Sequence, residues 1–175
     1  SGGVLSHAPS RQQSCAMLID AFQPEGITSI AVDSIFMMPH LGVLSTVDPQ
    51  AATEVFERDC LVYLGTCAAP VGKGKFGEIC AQYTVDLPTG SQTGELRIGE
   101  LVLLPLGEGE TAELALEPGR QWDVGAGTGQ ALSTTVRGGV VGLILDGRGR
   151  PIDIADDDRL DRVAAWQRAL NLYGE

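Results

Sequence analysis

From Cys60 onward, the chain is a succession of short apolar and β-branched runs separated by glycine, proline or aspartate. The runs are CLVYLGT, GEICAQYTVDL, ELRIGELVLLPL, TAELALE, QALSTTV and GGVVGLIL. Turn residues recur at intervals of about ten residues, which is the rhythm of antiparallel strands joined by short turns. This pattern predicts a β-barrel or a β-sandwich over residues 60–152.

The stretch before Cys60 alternates between helical and extended patterns. Apolar residues at helical spacing predict a helix that begins near Pro9 and is ended by Pro24 and Gly26. Its apolar stripe consists of Cys15, Leu18, Ile19 and Phe22. The run ITSIAVDS then predicts a buried parallel strand, and FMMPHLGVLS predicts a broken helix. A further helix, QAATEVFERD, is predicted to begin at Asp48 and Pro49.

The last segment predicts an amphipathic helix. Negative charge is expected at its start, from Asp156, Asp157 and Asp158, and its apolar stripe is Leu160, Val163, Leu170 and Tyr173, with Trp166 beside it. We therefore expect an α+β fold with three parts. These are an α/β segment over residues 1–59, a β-rich domain over 60–152 and a C-terminal helix within 153–175.

Charge and hydropathy limit the classes of partner. The formal net charge of −11 repels phosphate backbones, and no basic cluster is evident in the sequence. We therefore expect no nucleic acid or membrane partner. Apolar runs are far shorter than the roughly 20 residues of a membrane span, and the N-terminus lacks a signal-peptide pattern. These features predict a cytoplasmic protein whose partners are proteins or small molecules.

Histidine and cysteine give few candidates for chemistry. The four cysteines lack metal-ligand spacing and are predicted to be reduced and mostly buried. We expect neither a metal site nor a catalytic residue, with Cys67 as a minor candidate nucleophile. His7 is predicted to bond to backbone and His40 to lie in a core or an interface. Met37 and Met38 fit either a core or an adaptable binding surface.

The stretch WDVGAGTG, residues 122–129, invites a ligand-binding interpretation. It is similar to the S-adenosylmethionine loop of methyltransferases, but that loop follows a buried strand and opens a helix. Here EPGRQ precedes it and the β-branched QALSTTVRGG follows. Two interpretations stay open: a phosphate-binding turn of the actin-like ATPase kind, and a hairpin in which the glycines supply positive φ. We favour the hairpin.

Several segments, in this order, resemble one family. They are SGGVLSHAP, AVDSIFMMPHLGVLS, LGTCAAPVG, WDVGAGTG and GGVVGLILDGRGRP, which together span most of the chain. As a set they resemble the carboxy-terminal part of the glutamate mutase L protein, also called MutL or GlmL. That family is similar to the hydantoinase and oxoprolinase branch of the actin-like ATPase superfamily. The resemblance also implies that residues 1–59 are a remnant of an actin-like ATPase domain.

The resemblance implies an accessory protein of an adenosylcobalamin-dependent mutase. Members of the family are thought to be ATP-dependent chaperones or reactivating factors, with ATP and Mg²⁺ bound by the full-length protein and cobalamin carried by the mutase. Ser1, Gly2 and Gly3 would correspond to the glycine turn that contacts adenosine. The phosphate-binding loops of such ATPases lie upstream of that turn.

Two classes of function follow from this departure. In the first, the chain is an excised part or a naturally detached domain of the ATPase, inactive alone because it lacks the groups that hold triphosphate and Mg²⁺. It would form one wall of a nucleotide cleft, pair with the missing N-terminal part, and contact the mutase through its β-rich part. In the second, it is a stand-alone interaction or assembly domain with no nucleotide role.

Overall fold

The computed structural model describes residues 3–154 and 158–174, which form five helices and ten strands within those ranges. The helices are α1 (Gly3–Ser6), α2 (Arg11–Phe22), α3 (Met38–Leu44), α4 (Pro49–Val55) and α5 (Arg159–Ala169), and a π-helical turn (Phe56–Cys60) follows α4. The longer strands are β1 (Gly26–Asp33), β2 (Leu61–Ala69), β4 (Ile79–Leu87), β5 (Gly90–Arg97), β7 (Thr111–Pro118) and β9 (Leu132–Arg137). The shorter ones are β3 (Val71–Gly72), β6 (Leu101–Leu104), β8 (Trp122–Asp123) and β10 (Gly142–Asp146).

These strands form two four-stranded sheets and one short ribbon. The first sheet has the order β1-β2-β10-β6, the second is the antiparallel sheet β5-β4-β7-β9, and the ribbon is β3-β8. Neither four-stranded sheet closes. The α+β class is therefore confirmed, and of the two predicted β architectures the structure matches the sandwich and not the barrel.

The first sheet is the middle of three layers. Leu143 and Leu145 of β10 point to the core shared with the second sheet, whereas Ile144 points to the core shared with α2 and α5. Alternate residues of a strand face opposite sides of a sheet, so an all-apolar strand such as β10 needs cover on both faces. The helices supply it on one face and the second sheet on the other.

The parallel strand predicted for ITSIAVDS is wrong. β1 pairs antiparallel with β2 alone and lies at the edge of the first sheet. The reason is the return path of the chain: the loop from Ser34 to Cys60 closes on itself, with Ser34 N–H donating to the Cys60 carbonyl at 2.9 Å. The chain therefore re-enters the sheet beside β1 and in the opposite direction.

The predicted helices are present, but their stripes are only partly buried. In α2, Cys15, Leu18 and Ile19 are buried as predicted, while Phe22 is 77% exposed. The helix ends at Phe22, where Gln23 adopts a left-handed conformation (φ 44°) and its N–H donates to the Ile19 carbonyl. Phe22 therefore ends beyond the edge of the core.

The C-terminal helix is present, with a different buried face from the one predicted. Trp166 and Leu170 are buried, Val163 packs partly against the same core, and Leu160 and Tyr173 are exposed. Asp158 precedes the helix but makes no capping hydrogen bond with its side chain. The predicted charges of Asp156 and Asp157 lie outside the described residues.

The other sequence signals fit their elements. The Asp48 carboxylate accepts a hydrogen bond from Ala51 N–H at 3.0 Å and so caps α4. The division into residues 1–59, 60–152 and 153–175 stays a prediction, although strand pairing between β1 and β2 crosses its first boundary. None of the helices in the described ranges is long and apolar enough to cross a membrane.

Candidate functional site

The predicted adenosine-side turn lies at the carboxyl end of β1. Ser1 and Gly2 are outside the described residues, and Gly3 is the first residue of α1. The carbonyl of Gly3 accepts from His7 N–H at 3.0 Å and lies 2.9 Å from His7 Nδ1. His7 therefore bonds to backbone, as predicted. The role of the three residues in binding adenosine stays a prediction.

Helix α1 is fixed to the elements around it by two hydroxyl groups. Ser6 Oγ donates to the Asp33 carbonyl at 2.5 Å, and Ser14 Oγ of α2 donates to the Leu5 carbonyl at 2.9 Å. Both serines are buried, so these bonds satisfy polar groups that water cannot reach. The glycine turn is thereby placed next to the loop that follows Asp33.

Asp33 organises that loop. Its side chain is buried, with Oδ2 accepting from Met38 N–H at 2.8 Å and Oδ1 from Ile35 N–H at 3.3 Å. Burial disfavours the charged carboxylate, but hydrogen bonds from the backbone N–H groups of residues 35–38 outweigh it and lower the pKa of Asp33. The charged carboxylate thus holds the start of α3, and Phe36 is kept at a positive φ of 57°.

The loop and α3 display a continuous series of large apolar side chains to solvent. We call this the 35–47 surface, and its exposed members are Ile35, Phe36, Met38, Val43, Leu44 and Val47. Val43 is 71% and Val47 84% exposed, whereas Leu41 is the residue that α3 buries. Apolar residues gathered in one exposed segment are characteristic of interaction sites, unlike isolated ones.

His40 belongs to the same exposed segment. It is solvent-exposed, so the predicted core location is wrong and the interface alternative stays open. Met37 is half-buried and Met38 is exposed, which favours the binding-surface interpretation of Met38. Sequence analysis did not single out Ile35, Phe36 or Val43, although a seven-residue helix cannot bury so many apolar residues on one side.

The WDVGAGTG stretch is a turn closed on its own acidic residue. Asp123 Oδ1 accepts from Gly125 N–H at 2.7 Å and from Gly127 N–H at 3.0 Å, and Gly129 N–H donates to the Trp122 carbonyl at 2.7 Å. The three glycines have φ of 107°, 107° and 71°, where a Cβ is disfavoured. The stretch leads into strand β9 and not into a helix.

This geometry argues against a phosphate cradle in that turn. A phosphate-binding turn needs free backbone N–H groups, but the Asp123 carboxylate occupies those of Gly125 and Gly127. An incoming phosphate would also meet the negative charge of that carboxylate. The turn does line an open cavity of about 570 Å³ between Glu25, Lys73 and Thr128, which is polar on several sides.

A buried charge network joins β10 to the helical layer. Asp146 is fully buried and accepts from Arg148 Nε and Nη2, both at 2.9 Å, and from Arg150 Nη2 at 3.0 Å. Arg148 Nη1 also donates to Asp20 of α2 at 2.7 Å. Burial disfavours the Asp146 carboxylate, but the two arginines outweigh it and lower its pKa. The pairing expected from sequence is therefore present, with both arginines and in the interior.

The thiols are structural. All four cysteines are reduced and buried, as predicted. Burial raises the pKa of Cys67 above the ordinary thiol range, with a smaller contribution from Asp146, and Cys67 lies in the core between the first sheet and the helices. A nucleophilic thiol needs a lowered pKa and access to substrate, so Cys67 is not a candidate. No group of three or more metal-ligating side chains occurs within the described ranges.

Comparison with known proteins gives one match. Residues 1–60 match a protein-family model described as MutL protein. No curated protein and no solved structure matches the chain. The matched segment runs from the glycine turn through β1, the 35–47 surface and α4 to the π-helical turn. The resemblance to the glutamate mutase L protein family is thus confirmed over the first 60 residues, which carry both the predicted adenosine-side turn and the exposed apolar surface.

Proposed function

We propose that this chain is the carboxy-terminal part of an ATP-dependent accessory protein that serves an adenosylcobalamin-dependent mutase of the glutamate mutase kind. The match of residues 1–60 to the MutL family suggests association with glutamate mutase. The chaperone or reactivating role, the actin-like ATPase ancestry and the cytoplasmic location are extensions of that match. ATP and Mg²⁺ would be held by the whole protein, and cobalamin would be carried by the mutase.

The 35–47 surface is the observation that supports an accessory role most directly. It lies in the matched segment, follows directly from the strand on which the predicted adenosine-side turn rests, and exposes apolar side chains that gain free energy by burial. Asp33 holds it in a defined shape, so a partner need not order the loop on binding. We propose that this surface packs against the upstream part of the same protein.

The outer face of the second sheet suits a different contact. Its central part is lined by Gln82, Thr84, Thr93, Glu95 and Glu117 around Tyr83. A polar face of this kind resembles the transient interfaces of proteins that bind and release. We propose that the mutase contacts the chain through this β-rich part, which leaves the 35–47 surface for the ATPase portion.

A nucleotide titration tests the ATPase interpretation. The chain alone should bind ATP with Mg²⁺ weakly or not at all, and a version extended upstream by a phosphate-loop region should bind and hydrolyse it. If the extended version neither binds nor hydrolyses ATP, the ATPase proposal is wrong. Co-purification with the mutase, with and without cobalamin, tests the partnership separately.

Paired variants test the role of the 35–47 surface. Val43→Glu places a charge on the surface, and Leu160→Glu places one on an apolar position of α5 that is 80% exposed. We expect Val43→Glu to abolish association with the separately produced upstream part and Leu160→Glu to leave it intact, with both variants folded. Equal association of the two variants would contradict the assignment.

The alternative is a stand-alone interaction domain without a nucleotide role. It is favoured by the Asp123 carboxylate, which occupies the backbone N–H groups of the most glycine-rich turn. In that case Val43→Glu would still weaken partner binding, but no extended version of the chain would respond to ATP. The two experiments together therefore separate the two functions.

A further inference from the structure

A cavity of about 280 Å³ lies between the β3-β8 ribbon, the loop after β10 and the helix α5. Both tryptophans of the chain, Trp122 and Trp166, line it, together with Phe76. Its charged lining is mostly basic and consists of Lys73, Arg148, Arg150, Arg162 and Asp153. In a chain with a net charge of −11, four cations at one small cavity are a local reversal of sign.

Two of the four cations are already neutralised. Arg148 and Arg150 share the buried Asp146 carboxylate, and Arg148 also pairs with Asp20. Their side chains are almost fully buried, and their hydrogen bonds are directed at protein groups. They therefore make up the wall of the cavity and are not free to hold a ligand.

The other two cations have unused binding capacity. The Arg162 guanidinium stacks on the Phe76 ring at 4.0 Å, and its ion pair with Asp158 is long, at 3.8 Å. Its Nε is buried and has no hydrogen-bond acceptor among the described residues. Lys73 forms no ion pair within the same part of the chain. Buried donors in folded proteins are nearly always paired, so the Arg162 Nε indicates a missing acceptor.

We propose that this cavity binds a small organic carboxylate. A guanidinium Nε and an adjacent Nη form the fork that matches a carboxylate in two parallel hydrogen bonds, and Lys73 at the rim supplies a second cation. With Asp153 opposite, Lys73 and Arg162 leave one net positive charge, which balances one carboxylate. Trp122 and Phe76 provide apolar walls for the body of the ligand.

The two tryptophans make the site directly measurable. Because both line the cavity, intrinsic fluorescence excited at the tryptophan band reports its occupancy. Benzoate is the probe, benzamide is the uncharged control of the same shape, and inorganic phosphate is the anion without an apolar body, all at constant ionic strength. We expect a saturable fluorescence change with benzoate and no saturable change with benzamide or phosphate.

Substitution then assigns the response to this cavity. Arg162→Gln and Lys73→Gln should each weaken benzoate binding by at least about tenfold, whereas Arg58→Gln, which removes an exposed arginine paired with Asp59, should leave it unchanged. Thermal unfolding verifies that each variant is folded, and Lys73→Gln serves if Arg162→Gln is not. The absence of a saturable benzoate response, an equal response to benzamide, or unchanged binding in the folded variants would overturn the proposal.

Discussion

The buried Asp146 network provides the sharpest test of how the layers are held together. Asp146→Asn keeps the shape of the side chain and removes its charge, which leaves two arginines whose side chains are only 4% and 3% exposed. Removing one partner of a buried ion pair typically destabilises a protein by about 3–5 kcal/mol. Asp20 still faces Arg148, so we expect a loss near the lower end, about 3 kcal/mol.

Urea unfolding followed by circular dichroism measures that loss. The matched control is Asp59→Asn, which removes the carboxylate of the exposed pair with Arg58 and should not change the midpoint measurably. Asp146→Asn should lower the midpoint without changing the slope. A destabilisation below about 1 kcal/mol would refute the argument, since it would place this pair in the range of exposed ones.

The same variant tests the sign of the pH dependence. Folding lowers the pKa of Asp146, so its contribution to stability is complete above the ordinary aspartate pKa of about 3.9 and is lost as the pH falls through the folded-state pKa. The wild-type chain should therefore lose stability in acid more steeply than Asp146→Asn, which has no proton to bind there. Parallel acid-unfolding curves would contradict this assignment.

Three further predictions concern the core and the backbone. Burial raises the pKa of Cys15 and of Cys80 to about 12 and also raises that of Cys67, so a chromogenic disulfide reagent at pH 8 should react slowly with the native protein and with four thiols after unfolding in urea; rapid reaction of the native protein would contradict the burial. A Cβ at Gly65 would lie 1.8 Å from the Gly142 carbonyl oxygen where β2 meets β10, so Gly65→Ala should destabilise the fold by at least about 3 kcal/mol, measured by urea unfolding. Gly42 of α3 has open space around its Cβ position, so Gly42→Ala should stabilise by about 0.5–1 kcal/mol in the same assay; a loss of stability there would contradict the helical assignment.

Local signals in the sequence predicted most elements of the fold. The turn residues after Cys60 predicted the strands, and Asp48 with Pro49 predicted the start of α4, because both depend on the conformational preferences of a few neighbouring residues. The apolar spacing in α2 predicted Cys15, Leu18 and Ile19 as its buried face. It failed at Phe22 because spacing does not show where the sheet beneath a helix ends.

The candidate site was less accessible to sequence reasoning. The glycine turn was recognised by family resemblance, and the WDVGAGTG stretch was correctly expected to bend the chain without opening a helix. The exposed 35–47 surface and the cavity beside Trp122 were not predicted. The cavity combines Lys73, Phe76 and Arg162, which lie far apart in the sequence and form no motif.

The amino-acid sequence by itself determined the secondary structure, the β-rich character after Cys60 and the family resemblance of the first 60 residues, since these depend on local backbone preferences and on the order of short segments. Only the tertiary structure decided that β1 pairs antiparallel with β2, that Asp146 lies in the interior between two arginines, and that Val43 faces solvent. Each of these depends on which distant segments pack together, because the free energy of burying or pairing a group is set by its neighbours in space and not in sequence.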